Sequence, residues 1–186
     1  MQIFIKITTY PLGEKTGDQE EYLSRADDFL KGRILCIAFC IGNKKTESLQ
    51  GDEVSVMKAF NERLLKEPPE DRQSIVWIGY DLFMKEIPWL RQRAIKYQCK
   101  TLLDGLINGG MAIDLKKDFL HPVNVSESNA TLKDVCYFFD IDCPGDPNRW
   151  VVDTVEAGEV NKVRINCESI VRSMKQLLKK LPVKID

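Results

Sequence analysis

Residues 34–42, Ile-Leu-Cys-Ile-Ala-Phe-Cys-Ile-Gly, form an unbroken apolar run whose length suits a strand covered on both faces. A strand of that kind is central, so the chain is committed to a sheet enclosed by other elements. Gly42-Asn43 ends the run in a hairpin turn. Ahead of it, residues 1–10 alternate, with Ile3, Ile5 and Ile7 set against Gln2, Lys6 and Thr8. Beyond it a third strand is expected near 45–50. Val54, Met57, Phe60, Leu64 and Leu65 then recur at helical spacing until Pro68-Pro69 stops the helix. Residues 74–80 again read as a buried strand.

From Glu86 the spacing of Ile87, Leu90, Ala94 and Ile95 predicts a helix, with Pro88 tolerated in its first turn. Residues 109–115 are expected as a fifth strand and 121–131 as a loop. Leu132, Val135, Cys136 and Phe139 share one face of a short helix. Pro144-Gly145-Asp146-Pro147 then interrupts the chain before a long helix over 157–180, ended by Pro182. This order predicts an α/β fold, a ribonuclease H-like mixed five-stranded sheet flanked by helices, with Ile3, Ile5, Ile7, Ile37, Phe39, Val76 and Ile78 in its core. With 186 residues and 44% hydrophobic content, the chain has enough material for one well-buried domain over 1–186 and too little for two.

Charge and residue supply narrow the function classes. Twenty-seven basic residues balance 28 acidic ones, so no global field draws the chain to nucleic acid or acidic lipid, and any basic footprint is local. No apolar run approaches the roughly 20 residues of a membrane helix, and the first ten residues lack the pattern of a secretory signal. A cytoplasmic or otherwise intracellular protein without membrane contact is expected. Cys36, Cys40, Cys99, Cys136, Cys143 and Cys167 sit in apolar segments without zinc-type spacing and read mostly as buried thiols. Cys36 and Cys40 share a strand about 13 Å apart, too far for a disulfide. His121 is the sole histidine, which leaves Ser-His-Asp catalysis and multi-histidine metal sites without material. Asn124-Val125-Ser126 and Asn129-Ala130-Thr131 match glycosylation acceptors, but chance explains them without a secretory route.

Three segments carry a resemblance. Ile3 through Pro11 is the first; Gly79-Tyr80-Asp81 running on to Glu86 through Ala94 is the second; Glu156-Ala157-Gly158-Glu159 running on to Asn166 through Val171 is the third. Together they resemble the three motifs of the DnaQ-type 3′–5′ exonucleases, in particular the predicted exonucleases related to the proofreading domain of family B DNA polymerases. The connecting segments Gly51-Asp52-Glu53 with Met57 through Phe60, and Thr131 through Cys136, resemble the same family, so the likeness spans nearly the whole chain.

In that family two divalent metals, held by carboxylates, activate water and steady the leaving oxygen of a phosphodiester. Here the positions of the first-strand Asp and Glu hold Lys6 and Thr8, and those of the Tyr and Asp of the last helix hold Asn166 and Ile170. Glu168 points to another side of that helix and is no substitute. Glu86 stands where the family has Asp and Asp81 where it usually has Asn, leaving these two as the only candidate metal ligands and no confident catalytic residue. Lys6 either pairs with Glu86 or Asp81 or points to solvent from the sheet's rim; in both cases its charge opposes a metal.

Candidate nucleic-acid contacts are Arg91, Arg93, Lys96 and Lys100, then Lys162, Arg164, Arg172, Lys175, Lys179 and Lys180, with Trp150 a better stacking candidate than Trp77 or Trp89. No cofactor is expected. Three readings follow. One is a catalytically inactive module that binds single-stranded nucleic acid, a nucleoprotein or a nucleic-acid-processing protein. The second is a protein-interaction or structural subunit, and the third an active 3′–5′ exonuclease with an unrecognised metal site.

Overall fold

A computed structural model of the chain describes residues 1–13, 18–28, 30–108, 111–120, 130–146 and 150–181, with the backbone alone at 19 and 118–120. β1 (Gln2–Pro11), β2 (Gly32–Ile41) and β3 (Glu47–Gln50) form an antiparallel meander. β4 (Val76–Gly79) and β5 (Met111–Asp114) add in parallel on the other side of β1, giving the order β3-β2-β1-β4-β5. This is a mixed five-stranded sheet of the ribonuclease H-like type. The expected neighbours, 1–10 and 34–42, pair in antiparallel register from Ile3 opposite Ile41 to Thr8 opposite Cys36.

Both faces of the sheet are covered, which is why β2 is apolar from Ile34 to Ile41. Ile3, Ile5, Ile7, Ile37 and Phe39 pack beneath α2 (Glu53–Leu65), α4 (Glu86–Lys96) and α5 (Lys100–Ile107), joined by Phe60, Leu64, Trp77, Trp89 and Leu90. Phe4, Cys36, Ala38, Cys40 and Ile78 face the other way, toward α7 (Leu132–Phe138), α8 (Val151–Glu156) and α9 (Val160–Lys180). Of the expected core, Val76 is only half-buried and packs at the edge of this second cluster.

Several elements differ from expectation. The helix expected over 157–180 is α9, which starts at Val160; α8 precedes it as a separate helix, because Gly158 takes φ +75° and turns the chain between the two. α5 follows a break at Gln98 (φ +54°), and α6 (Leu115–Leu120) continues straight from β5. α1 (Gln19–Ser24), capped by Asp18, was invisible to apolar spacing because four of its six residues are polar or charged. Pro69 both ends the previous segment and begins α3 (Pro69–Gln73), where its fixed φ suits a first helical position. His121, Asn124-Val125-Ser126 and Asn129, most of the loop expected over 121–131, Pro147 and Pro182 lie outside the described residues. All six cysteines are buried free thiols. No described helix is long and apolar enough to cross a membrane.

Candidate functional site

β1 runs past the end of β4. Phe4 lies opposite Ile78, so Lys6, two residues further and on the same face, stands at the carboxyl edge where β4 has ended. Ligand sites of α/β sheets gather at that edge. Gly79 permits the turn there, since a Cβ would come within 2.7 Å of Leu82 Cδ1. Asp81, at φ +60°, donates its backbone N–H to the buried Asp114 carboxylate at 3.0 Å. Asp114 also accepts from the amide of Lys116, so one side chain ties the β4 turn to the start of α6. The chain then enters α4 with Glu86 in its first turn, where the helix dipole favours an acid.

Lys6 is buried, and its Nζ lies 3.4 Å from Glu86 Oε1 and 3.0 Å from Asp146 Oδ2. The solvent-facing alternative for Lys6 is thereby corrected: α9 and the Pro144–Gly145–Asp146 segment close over its face of the sheet. Asn166 Nδ2 donates to the Gly145 carbonyl at 3.2 Å and Ser173 Oγ to the Asp142 carbonyl at 2.8 Å, pinning that segment on α9. Burial works against charge on Lys6, but Glu86 and Asp146 outweigh it and raise its pKa. Glu86 is fully buried, and neither carboxylate oxygen meets a donor in hydrogen-bonding geometry among the described residues. Burial pushes its pKa up, with the Lys6 ammonium opposing the rise.

Thr8 and Ile170, on β1 and α9, are taken up by contacts within the fold. Thr8, beside a bulge at Thr8/Thr9, shares a 2.8 Å hydrogen bond with Cys167 Sγ. Ile170 sits in the apolar cluster under α9. Asp81 turns outward and pairs with Lys116 at 3.1 Å. Glu168 is engaged by Ser48, Arg164 and Arg172. Among the described residues no three acidic, cysteine or histidine side chains gather as a metal requires. An ammonium 3.4 Å from the Glu86 carboxylate, a threonine bonded to a thiol and a buried isoleucine do not fit a two-metal centre.

Beside Lys6 opens a cleft of about 470 Å³ whose polar wall is Lys6, Lys85, Lys116 and Lys133 with Asp27, Asp81 and Asp146. None of Arg91, Arg93, Trp150, Lys162 or Arg164 lines it. Arg93 is a correction to the expected surface contacts: it is buried, donating Nε to Glu53 at 2.7 Å and a second nitrogen to the Gly32 carbonyl at 2.7 Å. Lys162 pairs with Glu159 just before α9 and Arg164 with Glu168 on the same helix, while Arg91 is exposed. Lys175 donates to the Gly42 carbonyl and Lys180 to that of Phe139, so both hold loops. Trp150 is half-buried against the second core cluster, and Trp77 and Trp89 are core residues. Lys85, Lys116 and Asp146 escaped sequence reading because a turn, a six-residue helix and an irregular segment are too short or too irregular to show periodicity. The available signal was position, since Lys85 and Lys116 follow the carboxyl ends of the two parallel strands.

No family model matches the chain, and no curated protein matches it. Among solved structures it is similar to the family B DNA polymerase from the hyperthermophilic archaeon Pyrobaculum calidifontis, with a TM-score of 0.69 and 17% identity. The match covers 97% of this chain and 24% of the polymerase chain, so the chain spans about a quarter of that protein's length. The likeness is one of fold.

Proposed function

We propose that this chain is a DnaQ-like, exonuclease-type domain that has lost its two-metal chemistry and acts inside the cell as a non-hydrolytic module holding single-stranded nucleic acid. One observation carries the reading: the Lys6 ammonium stands beside Glu86 at the carboxyl edge of the central strand, where the resemblance puts a metal-binding acid. A fixed cation there keeps an attraction for phosphate while removing the means of activating water. Fold likeness to a domain-sized part of a DNA polymerase supports the nucleic-acid side of the reading.

The test is direct. Purified protein is expected to leave 5′-labelled single-stranded DNA and RNA undigested with Mg²⁺ or Mn²⁺, yet to bind the same strands with an affinity that falls as salt rises. Metal-stimulated digestion abolished by Glu86→Ala would overturn it.

A second reading, a protein-interaction subunit without nucleic-acid contact, is favoured by Tyr137 and Phe138, which are 83% and 77% exposed side by side on α7. Salt-insensitive absence of oligonucleotide binding would favour that reading over the first.

A further inference from the structure

Three lysines of the cleft share one arrangement. Lys6, Lys85 and Lys116 pair with Asp146, Asp27 and Asp81 at 3.0, 3.1 and 3.1 Å. In each pair the lysine is the deeper partner: the lysine side chains are 9%, 16% and 32% exposed, their aspartates 48%, 66% and 43%. A surface lysine ordinarily extends its long stem outward to put the ammonium in water. Here the order is inverted, with cations toward the floor and carboxylates on the solvent side.

We infer that these ammonium groups form a seat for phosphodiester oxygens, and that Asp146 is an internal anion that competes with the ligand for Lys6. The inference rests on the nucleic-acid reading above and specifies its chemistry. Asp146 is suited to leave because its half-exposed carboxylate recovers hydration when it swings out, which offsets part of the lost attraction to Lys6. Glu86 is suited to stay. It is fully buried on the first turn of α4, so Lys6 keeps a counter-charge when Asp146 departs. A phosphodiester entering the cleft gains Lys6 in exchange for one aspartate, with Lys133, exposed on the α7 wall, as a further cation. The strength of binding is then set by how firmly Asn166 and Gly145 hold the Asp146 segment down.

The experiment is fluorescence anisotropy of labelled dT12 and rU12 on wild type, Asp146→Asn, and Asp146→Asn combined with Lys6→Met and Glu86→Gln. The paired change at Lys6 and Glu86 removes both buried charges together, so that the variant folds; circular dichroism checks this. Asp146→Asn is expected to bind about three- to tenfold tighter than wild type, the range of a partly exposed charge pair. The gain is expected to vanish when Lys6 and Glu86 are also replaced. A thermal-shift arm with inorganic phosphate and pyrophosphate separates sources. Stabilisation of Asp146→Asn by these ions alone, with no oligonucleotide bound, supports the anion seat and overturns the nucleic-acid reading. Equal oligonucleotide affinity in wild type and Asp146→Asn overturns the competition while the nucleic-acid reading stands. Absence of binding to every probe by every form overturns both.

Discussion

Among the described residues, two buried ion pairs lie on opposite faces of one sheet, and they are built differently. On the α4 face, Glu53 accepts from Arg93 Nε at 2.7 Å, from the Ile34 amide at 2.6 Å and from the Tyr97 hydroxyl at 2.5 Å. Arg93 adds the Gly32 carbonyl and lies 4.8 Å over the Trp89 ring. Contact with Glu53, after burial, pushes the Tyr97 pKa up to about 12. On the α9 face, Glu86 has Lys6 at 3.4 Å and, among the described residues, no hydrogen bond to either oxygen. The first pair is saturated and locks α2, α4 and β2 together. The second leaves a buried carboxylate unsatisfied, which a purely structural pair has no reason to keep.

Breaking the saturated pair is expected to cost most. Arg93→Ala strands Glu53 in the core and should destabilise by about 4 kcal/mol, the range for removing one partner of a buried pair. Urea denaturation measures it, and a loss below about 1 kcal/mol, the value of a surface pair, would show that Arg93 is not a lock.

Lys6→Met is expected to cost about 3 kcal/mol at pH 8 and clearly less at pH 5. The sign follows from Glu86. Its folded pKa already lies above the ordinary 4.5, so between those two values the folded state binds more protons than the unfolded state, and stability falls as pH rises. Removing the ammonium that opposes the rise carries the folded pKa higher and extends the window upward. Melts at the two pH values decide the matter; equal losses would mean that another group is responsible.

Smaller still is the expected effect of neutralising both charges. Lys6→Met with Glu86→Gln should recover most of the stability lost in the single Lys6 variant, to within about 1 kcal/mol of wild type, whereas alanine at both Arg93 and Glu53 should not recover because the Gly32 and Ile34 backbone groups are left unpaired. A double-mutant cycle on each pair reads this contrast. The smallest effect belongs to Asn166→Ala, about 1 kcal/mol for one hydrogen bond to Gly145. Its thermal shift should disappear in a background where Asp146 is already Asn if the two act on one segment.

The amino-acid sequence by itself determined the sheet and its two buried faces. The unbroken run at 34–42, the alternation at Ile3, Ile5 and Ile7 and the helical spacing after Asp52 are local patterns of period two and 3.6, and each corresponds to an element found in place. Residue identity also settled that Lys6, Thr8 and Ile170 bring no carboxylate to the carboxyl edge of the sheet. Tertiary structure alone decided what those residues touch. Asp146 reaches Lys6 across 140 positions of sequence, through a Pro-Gly segment that carries no periodicity and is pinned on α9 by Asn166 and Ser173. Arg93 and Lys6 are both cations whose burial no local pattern in the sequence announces. One became a core lock and the other the floor of a cleft because charge partners are chosen by packing at long range, which no local spacing encodes.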